Sequence, residues 1–242
     1  MYMSFTVRMK KWTKAFRWLS MHTRRRFCRR FMLGSLASLS LLSVSLPLQA
    51  HPHSWVNMKT HIEGENGVVS GLKMEWTFDS MTSAYLLDGE DMSPENAQST
   101  LDKLAKTVVK NMLSQHYFTY FYDGEEPIKY HPATDQKFER DKSKLKLSFA
   151  LPLAKPQPVT RDTLRLLVFD SSYYVDMAWR SKSDVVLSKG LAQQCQFDLV
   201  EPHPTSQQMM YAMSLPEDAD PDNTLGQLFT QMVKMQCAVV AS

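Results

Sequence analysis

Cysteine is nearly absent from this chain, with three in 242 residues, and glycine is sparse, with eight. So few glycines leave no phosphate-cradling loop, and no G-x-S-x-G or H-E-x-x-H pattern occurs. No nucleophile or hydrolytic metal centre is therefore marked, and the chain is not expected to be an enzyme. No stretch reaches the roughly 20 mostly apolar residues that a spanning helix needs. Acid is missing from one region altogether. Residues 1–50 carry ten Lys/Arg and no Asp or Glu.

Beyond residue 50 the balance reverses, with 18 Lys/Arg against 25 Asp/Glu, a net charge of −7. Such a surface does not attract nucleic-acid phosphates or anionic lipid, and cations suit it better. The basic stretch runs into an apolar segment from Phe31 to about Leu48, diluted by serines and broken by Pro47, and ends at the small residue Ala50. That order predicts a cleaved export signal over 1–50 and a single periplasmic domain over 51–242. Thr23-Arg24-Arg25-Arg26-Phe27 fits the twin-arginine route, and an ordinary Sec signal fits equally. Cys28 leaves with the signal. In an oxidising compartment Cys195 and Cys237 point to one disulfide, closing a loop of 41 residues and contributing roughly 3–4 kcal/mol. A reduced metal-binding pair is the alternative, without CxxC spacing to support it.

Strand patterns dominate the rest. Leu72, Met74, Trp76 and Phe78 alternate, as do Leu145, Leu147, Phe149 and Leu151. Asn66-Gly67 joins the run Trp55–Ile62 to the first of these as a tight hairpin, and Asp123-Gly124 joins Tyr117–Tyr122 to Ile128–His131. Leu164–Phe169, Tyr173–Trp179 and Gln196–Val200 are further strands. Ser93-Pro94-Glu95 opens a helix with Ala97, Leu101, Leu104, Ala105, Val108 and Met112 along one face. A second, C-terminal helix is expected from Thr224, with Leu225, Leu228, Phe229, Met232 and Val233 as its stripe. The expected class is α+β, predominantly antiparallel sheet with one long inserted helix and a C-terminal helix.

The sharpest chemistry is created by cleavage. A chain cut after Ala50 begins His51-Pro52-His53-Ser54-Trp55. His51 then offers its α-amine and its ring, and in an extended segment the ring of His53 points the same way. Three nitrogen donors suit copper, nickel, zinc or cobalt. Pro52 lacks the amide proton that the usual amino-terminal copper/nickel site gives up, so an amine–imidazole chelate is the form expected. His203, between two prolines, and Asp170 are the further candidate ligands. His61 lies about 26 Å from His53 along an extended strand and is not expected to join it. His116 and His131 read as ordinary surface residues, and Asp79 and Asp176 as turn or edge acids that cap backbone groups, with metal ligation as the alternative. Asp88-Gly89-Glu90-Asp91 is too short for a calcium loop. Met209, Met210 and Met213 are expected in the core, with Cu(I) binding by their thioethers as the alternative.

The motifs His51-Pro52-His53-Ser54-Trp55-Val56, Glu75-Trp76-Thr77-Phe78-Asp79, Phe169-Asp170 and Tyr173-Tyr174-Val175-Asp176, with the Cys195/Cys237 pair, resemble the family of unknown function DUF1007. The resemblance implies a periplasmic component of an uncharacterised ABC-type transport system, close to nickel/cobalt-type transporters. The expected function is an accessory protein that binds a divalent transition metal and serves an inner-membrane transporter. The alternative is a metal-free interaction module with Trp55 as its aromatic anchor.

Overall fold

The computed structural model describes residues 54–159, 164–172, 174–215, 220 and 222–238. The chain enters at β1 (Ser54–Glu65), which turns at Asn66-Gly67 into β2 (Val68–Phe78), as that dipeptide predicts. Both turn residues have positive φ, 51° and 71°, the conformation that Asn and Gly tolerate best. Inward-facing Val56, Met58, Ile62, Leu72, Met74 and Trp76 are all buried. Beside β2 runs β6 (Lys144–Pro158), followed by the edge strand β5 (Thr134–Asp141). On the other side, β8 (Val175–Ala178) and β9 (Val185–Leu187) both pair with β1 in parallel.

A second sheet has the order β10-β11-β7-β3-β4, from Cys195–Val200, Met232–Cys237, Leu164–Val168, Thr119–Asp123 and Glu126–Pro127. Its inner residues Phe121, Leu164, Leu166, Val168, Val233 and Met235 join the inner face of the first sheet in one core. Helix α1 (Ser80–Leu87) follows β2. The long helix α2 (Ala97–Met112) closes the core with Leu101, Ala105, Val109 and Met112. Three short helices complete the fold: α3 (Lys189–Ala192), α4 (Ser206–Ser214) and α5 (Asn223–Leu228). The class is α+β with antiparallel pairing prevailing.

Four local expectations change. The terminal helix stops at Leu228, and Met232 and Val233 lie in β11 instead of extending its stripe. There Val233 and Met235 alternate into the core while Cys237 faces Cys195 across the β10–β11 ladder. The long helix starts at Ala97 rather than Ser93, because the Asp91 carboxylate binds the Ser93 amide and holds Ser93–Asn96 in a preceding turn. The strand expected over Ile128–His131 is only Glu126–Pro127, since Tyr130 crosses to bridge Leu153 of the other sheet. Finally, Met209, Met210 and Met213 are exposed on α4, a helix that buries no residue.

Between α2 and β3, His116, Tyr117 and Phe118 all take left-handed φ near 50°. Such residues each cost roughly 1–2 kcal/mol. Tyr117 offsets this by burying its ring and accepting the Ala133 amide on its hydroxyl.

Candidate functional site

His51 and His53 lie outside the described residues. The residues that follow them are fixed from two sides. Ser54 is buried, and its hydroxyl sits 2.8 Å from Thr82 Oγ1. The Trp55 amide donates to Asp79 Oδ2 at 3.0 Å, while the Asp79 amide donates back to the Trp55 carbonyl at 3.0 Å. The same Asp79 caps α1, accepting from the Met81 and Thr82 amides at 2.8 and 2.9 Å and from Thr82 Oγ1 at 2.6 Å. Partial burial pushes the Asp79 pKa up. The hydrogen bonds from Thr82, Trp55 and Met81 outweigh it and hold the carboxyl below its ordinary value.

On the opposite flank, Ser54 pairs with Val175 and Trp55 with Asp176. The turn that delivers Val175 is built by Asp170, which is 9% exposed. Its Oδ1 accepts the Ser172 amide at 2.9 Å, and its Oδ2 accepts the Tyr174 and Val175 amides at 3.2 and 3.1 Å. The Ser172 hydroxyl lies 2.8 Å from both oxygens. At its far end β8 is held by Trp179, whose buried indole donates to Thr60 Oγ1 at 3.0 Å and whose backbone is bracketed by the Gln231 amide. Two segments far apart in sequence, Asp79–Thr82 and Asp170–Asp176, thus meet at the first two residues of β1.

These are the segments whose motifs carry the resemblance. The model for the protein family of unknown function DUF1007 matches residues 36–237. The chain belongs to this family. An uncharacterised protein of Haemophilus influenzae is 34% identical over 199 residues, which cover 81% of this chain and 95% of that relative.

Within this DUF1007 chain the sequence-named residues have different fates. Trp55 is exposed, 42%, on the outer face of the sheet, beside the exposed Asp176. Asp170 spends its carboxylate on turn amides, so a metal bound there would have to displace them. His203 is exposed in the loop between β10 and α4. Among the described residues no three His, Cys, Asp or Glu side chains gather as a metal would require, so Asp170 and His203 do not form a ligand set by themselves. His61 faces Glu75 at 3.8 Å. Glu75 in turn begins a surface charge ladder through Lys146 and Glu139 to Lys137. Cys195 and Cys237 form the expected disulfide.

One residue escaped the sequence reading. Thr82 closes the contact between Ser54 and Asp79, and its signal was the Asp79-x-x-Thr82 spacing of a helix N-cap. Asp176, for which capping and metal ligation both stood open, is the exposed carboxylate in register with Trp55.

Proposed function

We propose that this protein is an exported accessory component of a transition-metal transport system that binds a divalent ion through His51 and His53. Nickel, cobalt, zinc and copper all suit two imidazoles and an α-amine. One observation supports this reading most: the chain immediately after His53 is clamped between Asp79 and β8. Donors on a short segment next to a rigid anchor lose little freedom on binding, which favours affinity. The exposed Asp176 beside Trp55 supplies a carboxylate of the kind that completes a nitrogen-rich site. A site with so few protein donors leaves coordination positions open, as handover of cargo to a membrane transporter requires. The role is binding, with no catalytic step.

Equilibrium dialysis of a chain beginning at His51 against nickel, cobalt, zinc and copper tests this. Micromolar binding is expected, lost in H51Q/H53Q and weakened about tenfold in D176N. No binding of any of the four ions in the micromolar range overturns it. Adding one residue before His51 is expected to weaken binding if the α-amine is a ligand.

The exposed indole of Trp55 favours a second reading, a metal-free module docking on an inner-membrane partner. There, H51Q/H53Q leaves partner association intact while W55A abolishes it.

A further inference from the structure

Five methionines of the domain, Met58, Met74, Met112, Met177 and Met235, lie in the core at 1–8% exposure. Met81 is exposed alone on α1, and three others are exposed together. Met209, Met210 and Met213 are 41%, 64% and 61% exposed, all on α4. The helix is framed at its start by a reciprocal capping box between Thr205 and Gln208, which fixes where its side chains project. Gln208, Ala212 and Leu215 are its half-buried positions. At about 100° per residue, Met209, Met213 and Met210 fall within roughly 100° of arc on the side turned away from them. Met213 is i+4 to Met209 and i+3 to Met210, spacings that bring Cβ atoms to about 5–6 Å. The long, unbranched side chains can then converge on one point.

We propose that Met209, Met210 and Met213 form a surface site for a soft monovalent ion, Cu(I) in chemical class. Thioether sulfur is a soft, uncharged donor that prefers Cu(I) to Zn(II), Ni(II) or Co(II). The helix Ser206–Ser214 carries no acid, base or histidine, so no charged or imidazole donor competes on that face. Leucine would suit a merely apolar surface at least as well. Three sulfurs at chelating spacing, all in solvent, are what a thioether site requires. This site uses neither His51 nor His53, and it stands or falls separately from the divalent site.

The test is a titration of the exported protein, labelled at its methionine methyls, with Ag(I) as a redox-inert probe. Competition for Cu(I) against bicinchoninate under anaerobic conditions follows. One equivalent of Ag(I) is expected to shift the methyl signals of Met209, Met210 and Met213 and leave those of the five core methionines in place. The variant M209L/M210L/M213L keeps the helix and its apolar surface, and is expected to weaken Cu(I) binding at least tenfold with unchanged circular dichroism and melting. H51Q/H53Q is expected to bind Ag(I) as the wild type does. Unmoved α4 methyls, or a leucine variant that binds as well as wild type, overturns the proposal. If Ag(I) binding disappears in H51Q/H53Q instead, the soft ion belongs to the histidines and the thioether site is refuted.

Discussion

Replacing Asp79 by Ala is expected to destabilise the domain by about 3 kcal/mol, because four donors end on one carboxylate. The Met81 and Thr82 amides on Oδ1 are a helix cap, worth about 1 kcal/mol. The Trp55 amide and Thr82 hydroxyl on Oδ2 are hydrogen bonds to a charged group, about 1.5–3 kcal/mol before discounting for the open site. Asparagine separates the two parts. Its Oδ1 still accepts the cap amides, but its NH2 meets the Trp55 N–H with no lone pair, so D79N should lose about half as much. For a domain near 190 residues, about 3 kcal/mol lowers Tm by roughly 6–12 °C. The assay is urea unfolding, read as a fall in midpoint at constant slope. Faster hydrogen exchange at the Trp55 amide is expected in both variants. The pH dependence has a definite sign. The folded carboxyl titrates below its ordinary value of 3.8, so its contribution is full above about pH 4 and is lost as pH falls through the folded pKa. The cost of D79A should therefore shrink between pH 6 and pH 3. A cost under about 0.5 kcal/mol, or one indifferent to that pH change, would refute the assignment of Asp79 as the shared anchor.

Two further predictions concern stability. A Cβ at Gly64 would lie 2.1 Å from the Val68 carbonyl oxygen, where β1 and β2 shift register, and backbone there has no room to give. G64A is expected to cost about 3 kcal/mol in urea unfolding, against about 1 kcal/mol for G124A, whose Cβ meets open space; equal costs would show that the close approach is not real. Reducing Cys195–Cys237, or replacing both by Ala, should cost about 4 kcal/mol for a 42-residue separation. An unfolding midpoint unchanged by a reductant that exposes two thiols would count against it.

Much of the first sheet was legible because its strands are wet on one face and dry on the other. The alternation from Leu72 to Phe78 and from Leu145 to Leu151 survives unchanged, and Asn66-Gly67 joins β1 to β2 as a hairpin. The second sheet was harder to read. In β7, Leu166 and Leu167 are both buried, so no period of two appears. Residues 225, 228, 229, 232 and 233 satisfy a helical stripe, yet the ladder to Leu164–Leu167 and Cys195–Val200 captures the last two. A long-range pairing of this kind has no local signature. The same holds at the site. Asp79, Asp170 and Asp176 look alike as sequence, three acids after or between strands. Their hydrogen bonds show that the first two build the anchor, and the parallel register of β8 on β1 places the third in solvent beside Trp55.

The strand order of the second sheet fixes a sequence of events in time. β11, the last strand in chain order, lies at the interior of the sheet, between β10 and β7. Until it arrives, Cys195–Val200 has no neighbour in that sheet, and Leu164–Val168 presents an open edge. One edge of β1 waits as well, since its partners there, β8 and β9, lie more than 100 residues downstream. A chain that emerges from its beginning therefore cannot complete the first sheet before β9 or the second before β11. Closing non-local contacts of this kind is slow. A chain that has made all but its last strand spends that interval with an aggregation-prone edge bare.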